Sequence, residues 1–174
     1  MRALKSQLPG TLICVSTGAW IESDDDRTLA YVSRWTVLPD YASVNLGERN
    51  APALIERLHH LHIAVEAGLA NAADAERLIE LGLERFALRI LIEVSEQELN
   101  RAHAVTDEIL SVLRGNTVKP LLLHGENASA WPLLERAVKS GFSTRIGLED
   151  VSILPDGSTV ASNVGLVAAA VRLR

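Results

Sequence analysis

A chain of 174 residues suffices for one domain with a sizeable core, and 48% apolar against 22% charged residues is the balance of an ordinary globular protein. A net charge of −5 argues against nucleic acid and against an anionic membrane surface, both of which want a basic face. The single cysteine, Cys14, rules out an internal disulfide, and no apolar run reaches membrane-spanning length, so a cytoplasmic chain is expected, with no nucleic acid and no membrane among its partners.

In chain order, TLICVS over 11–16 is the first short run rich in Val, Ile and Leu, and it reads as a strand. Asp24-Asp25-Asp26 lacks the alternating oxygen ligands and distal glutamate of a calcium loop and reads as a helix cap. YASVNL over 41–46 is the second strand, ALIERLHH a helix, and IAVEAG over 63–68 the third strand. DAERLIELGLERF sets Ala75, Leu78 and Ile79 on one helical face, with Asn71 as the cap before it. ALRILIEV over 87–94 is the fourth strand. EQELNRAHAVTDEILSVLRG is the longest predicted helix and closes on Gly115. PLLLHG over 120–125 is the fifth strand. AWPLLERAVKSG is a helix with Pro132 in its first turn and Gly141 at its exit, and TRIGLED over 144–150 is the sixth strand.

Six strands alternating with helices predict a parallel α/β fold in a single domain, 1–174. The C-terminal strand ends of such a fold share one face, and ligands bind there. The predicted strands finish in Ser16-Thr17-Gly18, Asn45, Glu66, Glu93, His124-Gly125-Glu126 and Glu149-Asp150. Six distant segments thus deliver polar groups to one surface.

STRIGLED is the most unusual of these. As a strand it puts Arg145, Gly147 and Glu149 on one face and Ile146 and Leu148 on the other. A buried arginine beside an acid is tolerated only when paired, and it holds the neighbouring carboxylate ionised. Such a group serves either as a structural ion pair or as a general base with an adjacent metal ligand.

CVSTGAWI, VLPDYASVNL, IAVEAGL, LRILIEV and TRIGLED occur in the order found in the β-keto acid cleavage enzymes, and the chain resembles that family over roughly 8–170. The R-x-G-x-E-D string and the S-T-G strand end are the most specific parts. The resemblance implies a (β/α)8 barrel of the TIM type holding one divalent metal, usually zinc. It implies an acyltransferase that condenses a short β-keto acid with acetyl-CoA and yields acetoacetate and an acyl-CoA. Residue by residue, it makes Glu149 a metal ligand, with Arg145, Asp150 and Ser16 as the group that deprotonates the substrate. Glu66, Asn45 and Thr17 fall at substrate-side positions. His124 and Gly125, ahead of a helix N-terminus, are candidates for the thioester co-substrate.

In the family, S-T-G ends the third strand, whereas here it lies within the first 18 residues. The chain is therefore expected to correspond to the third through eighth strands, an incomplete barrel of about six βα units without the H-x-H pair that completes the metal site. A homo-oligomer is expected, its second copy covering the open strand edges. His60-Leu61-His62 is an H-x-H string, but it joins a helix end to a strand start, roughly 15 Å from the strand's far end. It is not assigned to metal. His103 is expected at the surface, and Trp20, Trp35 and Trp131 are expected to pack between helices and strand ends. Two alternatives stay open: a truncated or degenerate, non-catalytic member acting as a binding or scaffold protein, and a doubly wound open sheet with an unrelated ligand.

Overall fold

The computed structural model describes residues 1–22 and 24–173. In chain order the elements are helix α1 (Arg2–Gln7), strand β1 (Cys14–Ser16), α2 (Asp25–Val32), β2 (Tyr41–Asn45), α3 (Ala51–His60) and β3 (Ala64–Leu69). They continue with α4 (Ala72–Glu80), β4 (Ala87–Val94), α5 (Leu99–Leu113), β5 (Leu121–Gly125), α6 (Ala130–Lys139) and α7 (Asn163–Val171).

The helices begin and end where their local chemistry requires. Asp24 accepts from the Arg27 amide at the start of α2, as its cap, and Asn71 accepts from the Asp74 amide at the start of α4. α6 starts with Pro132 in its first turn, and Gly141 follows its end with φ of 72°, a left-handed backbone that glycine adopts without strain. The helix predicted over 74–86 divides, because Gly82 turns left-handed at φ of 62° and a short 3-10 turn covers Leu83–Phe86.

All five strands are parallel and lie in chain order, β1-β2-β3-β4-β5. One face of this sheet is aliphatic. Ala42, Val44, Val65, Ala67, Ile90, Ile92 and Leu123 pack there against Leu54 and Leu58 of α3, Leu78 of α4, Ile109 of α5 and Leu133 of α6. Each fully buried aliphatic side chain contributes about 1.5–3 kcal/mol. By the period-two rule the other face carries Ser16, Ser43, Glu66, Arg89, Glu93 and His124, and the registers align Ser43 with Glu66, Glu66 with Arg89, and Glu93 with His124. Sequential strand order with α3–α6 all on one face is compatible with part of a barrel wall; a doubly wound sheet places helices on both faces. Among the described residues the sheet does not close, since β1 and β5 each pair with one neighbouring strand.

The sixth predicted strand does not form. Ser143 makes a single parallel bridge to Leu122, and Gly147 then accepts from the amides of Asp150 and Val151 in a turn. The strand expectation counted apolar residues and missed the turn set by Gly147. The segment goes on to form a second apolar cluster, in which Trp131 and Leu134 of α6 meet Val151 and Leu166. Of the three tryptophans, Trp131 is buried and Trp35 packs against the main core, whereas Trp20 is 68% exposed, contrary to expectation. His103 is half-buried: Arg136 of α6 donates to its carbonyl and lies 3.3 Å from its Nδ1, tying α6 to α5.

Ile92 is fully buried at the centre of the aliphatic face. Ile92→Ala is predicted to lower stability by about 2–5 kcal/mol in urea unfolding, while Leu12→Ala, at a 61% exposed site, changes it by less than about 0.5 kcal/mol.

Candidate active site

Three carboxylates, one arginine and one histidine converge where β4 and β5 end. Glu93 and His124 are register partners on adjacent strands and project from the same face of the sheet. The turn after Gly147 swings Asp150 over them, and the Asn127 amide holds the Asp150 carbonyl at 2.7 Å. Gly125, the last residue of β5, lets the start of α6 pack tightly on the strand end: a Cβ there would sit 2.6 Å from Ser129 Oγ and 2.8 Å from Leu133 Cδ1.

Asp150 is buried and Arg145 is its principal partner, with Nη2 donating to Oδ1 at 3.0 Å. The same Nη2 lies 3.0 Å from Glu149 Oε1 and 4.0 Å from Glu93 Oε1. Burial opposes the Arg145 charge, but Asp150, Glu149 and Glu93 outweigh it and raise the guanidinium above its ordinary value. Arg145 is therefore a fixed cation, and Asp150 Oδ2 is left buried with no hydrogen-bond partner.

His124 is 1% exposed. Its Nδ1 stands 3.5 Å from Asp150 Oδ1 and its Nε2 stands 3.6 Å from Glu93 Oε1, both beyond hydrogen-bond length. Burial, reinforced by the Arg145 charge, pushes its pKa down to about 4, so the imidazole is neutral at pH 7. Glu93 moves the other way: burial raises its pKa, Arg145 opposes the rise, and Glu126, Asp150 and Glu149 add to it. Glu93 also lines a cavity of about 270 Å³ with Asn45, Glu48, Gly68, Asp74 and Glu126, at the C-terminal ends of β2–β5.

The remaining candidates occupy other parts of the polar face. Asn45 lines the same cavity and donates to Glu48 Oε1 at 3.4 Å. Glu66 is buried in mid-strand and is held by Arg89, whose Nη2 also donates to the Tyr41 hydroxyl. Thr17 is buried and donates to the Ser43 carbonyl at 2.7 Å. Ser16 is exposed, ends β1, and borders a separate cavity of about 230 Å³ lined by Tyr31 and Trp35. β1 and β5 are opposite edges of the sheet, four interstrand steps or roughly 19 Å apart along it, so Ser16 does not join Arg145 and Asp150.

Arg89 is absent from the sequence expectations, and Glu93 figures in them only as one of the polar strand ends. Their signal was present: two charged residues inside ALRILIEV, four apart and so on one strand face, opposite positions where Glu66 and His124 also break apolar runs.

The metal expectation meets a different arrangement. Glu149 is 72% exposed and paired with Arg145. His60 ends α3, and His62 sits in the turn before β3 with φ of 56°, at the opposite end of that strand. Among the described residues no three His, Cys, Asp or Glu side chains are placed to hold a metal ion. The donor set does not fit the zinc site that the resemblance implies.

The sequence profile of the beta-keto acid cleavage enzyme family matches residues 1–174. The chain belongs to this family. No curated protein matches the sequence. Membership places the R-x-G-x-E-D segment in a family context, and the fold shows what that segment builds: an arginine clamped on a buried aspartate at the ligand-binding end of a parallel sheet. No helix among the described residues is long and apolar enough to cross a membrane.

His124 is neutral and buried in the fold but takes a proton at about pH 6.5 once unfolded. The unfolded imidazole thus binds more protons between pH 6.5 and 4, so the His124 contribution to stability falls as pH drops through that window, by about 3 kcal/mol in all. Thermal unfolding is predicted to show it as a difference: on acidification the native protein loses stability relative to His124→Asn.

Proposed function

We propose that this chain acts on a short β-keto acid, condensing it with acetyl-CoA to give acetoacetate and an acyl-CoA. Family membership supports the reaction class. The observation that carries it to this chain is Asp150, buried, anchored through Oδ1 by Arg145, and holding a second oxygen without a partner.

In this reading Asp150 Oδ2 takes a proton from the substrate carbon between the two carbonyl groups. Arg145, in contact with Oδ1, fixes the orientation of the carboxylate, and its exposed edge is available to the substrate carboxylate. The carbanion attacks the acetyl thioester, and the CoA thiolate leaves. That thiolate then attacks the acyl carbonyl of the condensed product; the carbon–carbon bond breaks to give the acyl-CoA, and the acetoacetate carbanion takes the proton back from Asp150 and departs. Positioning and proton transfer at Asp150 supply about 10²–10⁴-fold of the rate. His124 and Gly125, at the end of β5, form the wall nearest the thioester; Glu66, Asn45 and Thr17 are more distant groups on the substrate side, as is Ser16 across the sheet.

The family's divalent ion is not built into this mechanism, because Glu149 lacks the partners to hold it. We propose that residues 1–174 form one domain of a (β/α)8 barrel, corresponding to the family's third strand onward, in a cytoplasmic homo-oligomer. Sequential strands with helices on one face support the barrel. The open edges at β1 and β5 and the exposed apolar side chains Val164, Val167 and Val171 on α7 support association.

A second reading has a specific observation in its favour. The poor donor set around Glu149 suits a non-catalytic member that binds or scaffolds. The two are separated by incubating the purified chain with β-keto acids and acetyl-CoA and measuring acetoacetate, with zinc content measured on the same sample. The catalytic reading predicts acetoacetate formation that Asp150→Asn lowers at least about 100-fold without changing the fold. No acetoacetate from any short β-keto acid, with or without added zinc, leaves the binding reading.

A further inference from the structure

His124 is a buried imidazole between two carboxylates, with Asp150 Oδ1 3.5 Å from Nδ1 and Glu93 Oε1 3.6 Å from Nε2. Neither ring nitrogen has a hydrogen-bond partner elsewhere. A neutral imidazole carries one N–H, so it satisfies only one of two ionised neighbours; its other nitrogen would present a lone pair to a negative oxygen. Burying such a repulsive contact is costly unless a proton lies between the two.

The surroundings decide where that proton resides. Glu93 faces three further carboxylates, Glu126, Asp150 and Glu149, and one cation, Arg145. Arg145 Nη2 sits 3.0 Å from Asp150 and 4.0 Å from Glu93, so it stabilises the negative charge on Asp150 more strongly. Glu93 is the half-buried member left without a close cation, and burial raises its proton affinity further.

We propose that Glu93 is protonated at neutral pH and donates to His124 Nε2, fixing the imidazole as the Nδ1–H tautomer and aiming that N–H at Asp150. Each contact becomes a hydrogen bond on shortening by about half an ångström, the tightening that such sites undergo when substrate enters. Glu93 and His124 are positioning residues: they hold Asp150 Oδ1 from the side opposite Arg145 and leave Oδ2 as the oxygen open to a proton. The role of Asp150 rests on the function proposed above, whereas the protonation state and the tautomer do not.

The test is NMR on the intact protein labelled with ¹⁵N-histidine and with ¹³C-glutamate. The expected result is a neutral His124 with Nδ1 protonated at pH 7, and one glutamate carboxyl that titrates above all the others and is absent in Glu93→Gln. Glu93→Gln, whose amide N–H replaces the carboxyl proton, retains the Nδ1–H tautomer; Glu93→Ala loses it. An ionised Glu93 at pH 7, or a His124 protonated on Nε2, overturns the proposal even in an active enzyme. A chain that shows the tautomer but forms no acetoacetate sustains this inference and removes the catalytic reading instead.

Discussion

The ion pair between Arg145 and Asp150 is the constraint on which the functional end of this molecule depends. Asp150 is buried, a buried acid beside an arginine is tolerated only as a contact pair, and Arg145 makes that contact. Its guanidinium also reaches Glu149 and lies near Glu93, so one side chain sets the electrostatics of three acids. The neutral state of His124 follows from the same placement, since burial and the Arg145 charge both act against its protonation.

The fold makes this possible by dividing its sheet into two unlike faces. Aliphatic side chains on alternate positions bury α3–α6 on one face, and the intervening positions are released for charge. Glu66 with Arg89 in mid-sheet, and Glu93 with His124 at its C-terminal end, are successive pairs on that polar face. A sheet covered by helices on both sides would have no room for them, because their desolvation would go uncompensated.

The parallel α/β architecture was legible in the sequence, because short Val/Ile/Leu runs alternate with helical periodicity and with caps such as Asn71 and Gly141. The sixth strand was not. TRIGLED has strand composition, but Gly147 turns the chain, and the Arg145–Glu149 contact is made across that turn instead of along a strand face. Asp150 and His124 could be named as site residues from their positions at strand ends, and Arg145 from the R-x-G-x-E-D string; that they converge could not, because their approach depends on the turn after Gly147. Glu93 carried the faintest signal, a charge in an apolar strand, and its importance emerges only from the β4–β5 register. Ser16 illustrates the converse: the family resemblance groups it with Arg145 and Asp150, and the sheet order puts it at the far edge.

Asp150 as the proton acceptor at the substrate carbon is the central claim, and solvent exchange tests it without requiring acetyl-CoA. The measurement is ¹H NMR of a short β-keto acid in D₂O, following loss of the signal from the methylene between its carbonyl groups. The account predicts that the chain accelerates this exchange over buffer and that Asp150→Asn returns it to the buffer rate. Exchange that is equally fast with Asp150→Asn would contradict it.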